Sequence, residues 1–502
     1  MTWFWQRRRR HRRVSPAGGL SHGSTGRLAW GKAAMPMWRA GLSVVLAGAV
    51  AGCTGSPGST GQGPAATAAS PSPAFISRTA PDGPVGRQLT WFLRAVADVP
   101  WSPLLIRAHF DAGYLAQTSP GQLNSDVASL GEDVPSSGAS LTGVLWQDPA
   151  SDPDSLQAVA SFGGVPQAVT IFVDGAGLIS GWGISSYQPA PGSWAQVDRQ
   201  LAALAPDASL LAAQVSPGGA CTSVHQVAAG VARPLGSMFK LFVLGALARQ
   251  VAAGRASWTQ ELTVTDAVKS GGSGSLQDVP AGTRVSVQQT ALQMISMGDN
   301  TAADMLIHLV GRPAVQAQDR QWSAHAALNV PFLTTRELFL LQYLTFSDPA
   351  LAQRYLSLAP AQRAAFLASS VDPLPFNPAQ LPDAPTTSPA DIDTIGWFAS
   401  PDDICRAFAG LQQLAAQPAL APLGPILSAN QGGIGLDPAQ WATIWYKGGS
   451  EAGVLTQGYL ATNSNGQTFV VVAMLSDPAA VLASSAVTGL LAIVQGAFEL
   501  LR

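Results

Sequence analysis

Beyond Cys53 the chain holds three lysines, Lys240, Lys269 and Lys447, against sixteen arginines. Arginine stays charged in any protein environment, whereas a desolvated lysine can serve as a base near neutral pH. A chain that otherwise prefers arginine therefore marks its lysines as candidates for proton chemistry. Lys240 closes Ser237-Met238-Phe239-Lys240, and Lys447 opens Lys447-Gly448-Gly449-Ser450. Residues 210–215 and 222–227 read as strands, and Pro234 and Gly236 then break the chain. The apolar run 238–247 is too long for an ordinary strand and reads as a buried helix. That puts Ser237 at a helix N-terminus with Lys240 one turn on, on the same face. Hydroxyl and amine would meet there, and the free N–H groups of the first turn favour negative charge. The plainer reading is a capping serine beside a lysine that snorkels to solvent.

Between these two motifs, residues 291–304 read Ala-Leu-Gln-Met-Ile-Ser-Met-Gly-Asp-Asn-Thr-Ala-Ala-Asp. The three stretches together resemble the class A β-lactamase and penicillin-binding-protein superfamily of serine enzymes. In that superfamily the middle segment reads M-I-x-x-S-D-N-T-A, and its asparagine grips the substrate amide. The resemblance gives Asn300 that role and makes Ser237 the nucleophile and Lys240 its base. It has Lys447 hold the substrate carboxylate or tune proton transfer. Gly449 and Ser450 would lie in the substrate-binding strand, with the Ser450 N–H sharing an oxyanion hole with that of Ser237. Asp299 reads first as the cap of a helix beginning near Thr301, a structural role beside the site.

The departures from that pattern matter as much. Gly298 stands where the superfamily has a serine, and Gly448 where the third motif usually has a hydroxyl; Ser296 or Ser450 is the hydroxyl at hand to replace one of them. A penicillin-hydrolysing enzyme of this class also uses a glutamate after the second motif to activate the deacylating water. There is none between Glu261 and Glu337, and Glu337 itself follows Thr334 by three residues, the spacing of a capping box.

Strand signals at 441–446, 453–462 and 468–475, with the turn Asn463-Ser464-Asn465-Gly466, form a closing sheet, followed by a helix over the last 24 or so residues. A helix at 194–204, a helical middle, a Pro-rich stretch at 373–389 and a helix start at Ser400-Pro401 complete a unit spanning 194–502. The resemblance makes this a five-stranded antiparallel sheet flanked by helices, plus an all-α subdomain. Residues 87–188 form a separate α+β unit: helical spacing at 89–96 and 104–115, then strands at 141–146, 156–162 and 168–184, the last broken by Asp174-Gly175. This pattern loosely resembles the steroid-isomerase-like cone fold. The two-unit layout is similar to that of the cephalosporin esterase associated with clavulanate biosynthesis.

No acidic residue precedes Asp82. Residues 40–51 are a short apolar run ending Val50-Ala51-Gly52-Cys53, which resembles a bacterial lipoprotein signal with Cys53 the lipidated residue. The run is too short to span a membrane. Residues 1–53 therefore read as a leader, with translation starting at Met35 or Met37, and residues 54–86, rich in Gly, Ser, Pro, Ala and Thr, as a disordered tether. After Cys53 there are 19 basic against 30 acidic residues, a net of −11 that excludes ordinary nucleic-acid binding. Cys221 and Cys405 are an even pair in an exported chain, which admits a disulfide. The six histidines are scattered, with no H-E-x-x-H and no zinc spacing, so no metal or cofactor is expected, and His308 reads as a partly buried structural residue. Ser270-Gly271-Gly272-Ser273-Gly274 lacks a phosphate-loop lysine and reads as a surface turn at the cleft rim. The expected protein is an exported, lipid-anchored serine hydrolase acting on β-lactam, ester or peptidoglycan-like substrates. The alternative is a non-catalytic lipoprotein that binds a cell-envelope ligand.

Overall fold

A computed structural model describes residues 75–502 apart from 76, 131–133, 149–151, 344–347, 349, 378–387, 438 and 484. The leader, Cys53, most of the expected tether and much of the Pro-rich stretch lie outside the described residues.

Helices α1 (Pro84–Ala95), α2 (Pro103–His109), α3 (Ala112–Gln117) and α4 (Pro120–Ala128) come first. Strands β1 (Ser140–Asp148), β2 (Asp152–Phe162), β3 (Val165–Val173) and β4 (Ile179–Ser186) follow as an antiparallel meander. Structure begins earlier than the composition suggests. Pro84 opens α1 three residues inside the expected tether, because a proline costs nothing at the first position of a helix. The helical run expected over 104–115 is interrupted at Phe110, which bridges to Ile179, and Asp111 then caps α3. These elements enclose their own core, including Leu89, Phe92, Ile106, Val169 and Ile171.

The remainder starts with α5 (Trp194–Ala202), β5 (Asp207–Val215), β6 (Cys221–Val227) and the short β7 (Arg233–Pro234). A 3-10 turn at Gly236–Phe239 leads into α6 (Lys240–Ala252). The short β8 (Glu261–Thr263) and β9 (Arg284–Ser286) precede α7 (Val287–Ser296), α8 (Asn300–Val310), α9 (Arg312–Trp322) and α10 (Thr335–Gln342). After α11 (Leu351–Ser357), α12 (Pro360–Phe366) and β10 (Phe398–Ala399) come α13 (Pro401–Ala415) and α14 (Leu423–Ser428). The chain ends with β11 (Trp441–Glu451), β12 (Val454–Asn463), β13 (Thr468–Ser476) and α15 (Ser485–Leu500).

Five strands form one antiparallel sheet in the order β11-β12-β13-β5-β6. Its centre is apolar on both faces, since alternate residues of a strand point to opposite sides. In β13, Val470, Val472 and Met474 enter the core shared with α6 and α13, while Phe469, Val471 and Leu475 enter the core shared with α5 and α15. Hence residues 468–475 read as a continuous apolar run rather than an alternating one. Strand β11 is an edge, and it runs through Lys447 and Ser450 to Glu451, five residues past the strand expected from the sequence. A disulfide joins Cys221 on β6 to the buried Cys405 on α13. No helix of the described residues is long and apolar enough to cross a membrane.

Candidate active site

The turn that carries Ser237 is pressed against the edge strand by two glycines. Gly236 has φ +49°, and a Cβ there would stand 2.8 Å from the Ser450 nitrogen. A Cβ on Gly449 would meet the Leu235 carbonyl oxygen at 2.2 Å and the Ser237 nitrogen at 2.5 Å. Only residues without side chains allow so close an approach of backbones. The contact gathers the Ser237 and Ser450 amides at one place, and Thr456 Oγ1 fastens it by donating to the Leu235 carbonyl at 2.8 Å. Met238 and Phe239 anchor the other side of the turn in the core, Phe239 stacking on Trp397 at 3.7 Å between centroids. Ser237 itself remains half-buried at the surface of this assembly.

Lys240 is fully buried, so it does not snorkel. Its Nζ lies 2.9 Å from Ser237 Oγ and donates to the Gly298 carbonyl and to Asn300 Oδ1, each at 2.6 Å. Two of its three neighbours only accept. A neutral amine has two hydrogens and one lone pair, so these acceptors take the hydrogens and turn the lone pair toward the serine hydroxyl. Burial pulls the Lys240 pKa well below the ordinary lysine value; Lys447 adds to the effect, while Asp299 and Asp304 oppose it. Lys447, also buried, donates to the carbonyl of its neighbour Gly448 at 2.7 Å, and burial brings it down to about 7. The site thus contains two amines whose hold on a proton is weakened by burial, Lys447 down to about 7.

The second motif supplies the acceptors. Gly298 has φ +68°, a conformation that costs a side-chain-bearing residue about 1–2 kcal/mol, and so its carbonyl can face Lys240. Asp299 is structural, as the capping reading expects. Its Oδ1 accepts from Ala302 N, and its Oδ2 from Ser275 N at 2.8 Å and Leu276 N at 2.9 Å. Asn300 spans Lys240 and the rim turn, its Nδ2 donating to the Gly271 carbonyl at 2.8 Å.

Neither hydroxyl suggested as a replacement for the one absent at Gly298 is available. Ser296 Oγ donates back to the Leu292 carbonyl of its own helix at 2.7 Å. Ser450 alternates to the opposite side of β11 from Lys447 and Gly449. The rim turn is more than a surface turn, for Ser270 and Gly271 are buried. Ser270 Oγ pairs with Thr335 Oγ1 at 2.6 Å, and its backbone exchanges hydrogen bonds with Thr301 Oγ1. Ser273 accepts Asn300 N at its carbonyl, and its side chain faces the space over Gly298. Sequence reasoning missed Ser273 and Thr335; the one available signal was the pair of glycines around Ser273, both with positive φ.

Glu337 is not free to serve as a base. Its carboxylate accepts from Thr334 N at 2.6 Å, completing the expected capping box, and pairs with Arg312 at 2.6 Å. His308 is exposed rather than partly buried, its Nδ1 donating to the Asp304 carbonyl one turn back at 2.7 Å. It lies on the helix face away from the packed side, so the apolar run around it misplaced it. Glu451, two residues beyond Gly449 on the same strand face, has a buried Oε2 with no partner, and burial raises its pKa to about 7.

Residues 222–492 match the family model described as the β-lactamase enzyme family. A search of curated proteins finds no match. Among solved structures the chain is similar to a β-lactamase from Sphaerobacter thermophilus at 21% identity, covering 61% of this chain and 97% of that one, with a TM-score of 0.41. It is similar to a protein titled PBP-A at 18% identity, covering 62% and 99%, with a TM-score of 0.40. A β-lactamase from Chitinophaga pinensis gives 16% identity, 61% and 98% coverage and a TM-score of 0.43.

Proposed function

The chain belongs to the β-lactamase enzyme family, whose members are serine hydrolases, and within it we propose an enzyme that works through an acyl-Ser237 intermediate. One observation carries this reading: Lys240 Nζ sits 2.9 Å from Ser237 Oγ with its hydrogens engaged by two acceptors. Lys240 takes the hydroxyl proton as Ser237 attacks a carbonyl. The Ser237 and Ser450 N–H groups, gathered by the Gly236–Gly449 contact, stabilise the oxyanion. Asn300 and Lys447 meet the amide and carboxylate of the substrate. A purely binding role finds less support, because a ligand-binding protein gains nothing from burying an amine at the cost of its charge.

The substrate class is a β-lactam, an ester or a peptidoglycan-like amide. With the deacylating glutamate absent, esters and weak β-lactam turnover fit the chemistry best. We place the enzyme outside the cytoplasm, anchored through a lipid on Cys53; Cys53→Ala should release it from the membrane fraction, and unchanged membrane association would refute the anchor. Residues 87–188, with four helices before a four-stranded sheet, serve as a scaffold resembling the cone fold.

The acyl-enzyme is tested by incubating the intact protein with a fluorescent penicillin and, separately, a fluorophosphonate. Labelling should map to the Ser237 peptide by mass spectrometry and vanish in Ser237→Ala. An adduct elsewhere, or none with any acyl donor, returns the binding-protein reading.

A further inference from the structure

Acylation calls for two proton transfers, one from Ser237 and one to the leaving group. Lys240 receives the first, yet two of the Lys240 hydrogens are held by the Gly298 carbonyl and Asn300 Oδ1. A poor leaving group, such as an alkoxide or an amine nitrogen, needs a proton as its bond to the acyl carbon breaks. With those two hydrogens held, a second donor beside Lys240 can supply the leaving group.

The space over Gly298 is where two such groups converge. A Cβ built on Gly298 would stand 3.4 Å from Ser273 Oγ and 3.8 Å from Lys447 Nζ. No side chain fills that point, and the carbonyl of the same glycine is the one that receives Lys240. Ser273 Oγ bonds only weakly to protein, at 3.2 Å to the Met297 carbonyl, and is half-buried, so it can turn toward a substrate.

Its backbone, by contrast, is fixed. Gly272 and Gly274 have φ +83° and +99°; a Cβ on Gly272 would meet Phe339 Cζ at 2.8 Å, and one on Gly274 would meet Asp299 at 2.2 Å. The Ser273 carbonyl accepts Asn300 N at 3.1 Å, and Asp299 holds the amides of Ser275 and Leu276. A hydroxyl held on a rigid turn beside a second motif is what a positioned proton donor requires.

Resting on the acyl-Ser237 reading, we propose that Ser273 is a catalytic residue that protonates the leaving group and is itself reprotonated from Lys447. In the step, the Ser237 Oγ–acyl carbon bond forms and the acyl carbon–heteroatom bond breaks, its electron pair staying on the heteroatom. The heteroatom takes the Ser273 proton, and Ser273 takes one from the Lys447 ammonium. Lys240 keeps the proton of Ser237. One lysine gains a proton and the other loses one, so the charge of the site is unchanged and exchange with solvent resets both. The lowered affinity of Lys447 for its proton suits it to give one up.

The test is the dependence of acylation on the leaving group. Single-turnover rates are measured for Ser273→Ala and the wild-type protein with two esters of one acyl group, an alkyl ester and a p-nitrophenyl ester. The p-nitrophenolate departs without a proton; the alkoxide does not. Ser273→Ala should slow the alkyl ester by about 10²-fold, the low end of what general acid catalysis gives, and barely change the p-nitrophenyl ester. Ser273→Thr, which keeps the hydroxyl, should recover most of the loss, and the adduct should stay on Ser237 throughout. Equal slowing of both esters would make Ser273 a structural residue and overturn the proposal, as would no slowing of either. Absence of any Ser237 adduct in the wild type is a different failure, that of the acyl-enzyme reading itself.

Discussion

Replacing Lys447 by methionine puts a number on the burial of this amine. Methionine is similarly long and unbranched and leaves no charge. In the fold the Lys447 pKa falls from the ordinary 10.5 to about 7, and burial is the cause. At about 1.36 kcal/mol per pH unit, that interval corresponds to about 5 kcal/mol of destabilisation when the group is charged in both states. Below about pH 7 both states carry the proton and this cost is at full size. Between about 7 and 10.5 the unfolded chain binds a proton that the folded chain lacks, so the stability of the wild type rises with pH. Removing the lysine abolishes the cost and forfeits its hydrogen bond to the Gly448 carbonyl, about 1 kcal/mol. Lys447→Met should therefore be more stable than the wild type by about 4 kcal/mol at pH 6, with the advantage gone by pH 10.5. Urea unfolding at several pH values, read where the slope m is unchanged, gives the comparison. Acylation of Ser237 should meanwhile be impaired, the usual price of stabilising a functional site. A destabilised variant at pH 6, or a gain that does not vary with pH, would show that the ammonium is compensated in the fold and that the reasoning is wrong.

Deacylation should be slow. Glu337 is committed to Arg312 and to the cap of α10, so penicillins should give a burst of one equivalent followed by turnover reduced by roughly 10²–10⁴-fold for want of a general base. Steady-state hydrolysis without a burst would contradict this, and its loss in Glu451→Gln would identify the Glu451 carboxyl on β11, whose buried Oε2 has no partner, as the base. The disulfide closes a loop of sequence separation 184, so Cys221→Ser with Cys405→Ser should lose roughly 3–5 kcal/mol in chemical denaturation, and an unchanged midpoint would show that the bridge adds nothing.

What could be read from the sequence is what chemistry or local geometry fixes at short range. Ser237 and Lys240 must be three apart on one helical turn, so their spacing carried the reading and the structure places them 2.9 Å apart. The box of Thr334 and Glu337, and the cap at Ser400 before Pro401, were legible for the same reason. The closing hairpin was legible because Asn463 to Gly466 spells a turn between two apolar runs. Lys447 was visible by type, whereas its burial was not, since nothing in K-G-G-S reports how the 3-10 turn at Gly236–Phe239 and α14 pack against β11. Ser273 escaped because it lies twenty-odd residues before Gly298, on a turn with no periodicity, and only tertiary packing brings the two together.

That packing also explains how a chain can lack the superfamily's usual serine in the second motif and still hold a hydroxyl at the same place. With φ at +68°, Gly298 aims its carbonyl at Lys240, and a serine there would adopt that conformation only under strain. Dropping the side chain relieves the strain and opens the space above the glycine, into which the rim turn brings Ser273 from another direction. Asp299 ties the two changes together, capping α8 with one carboxylate oxygen and fixing the rim turn with the other. The loss at one position and the hydroxyl at the other are then two sides of a single arrangement, and the motif's apparent defect does not by itself argue for lost catalysis.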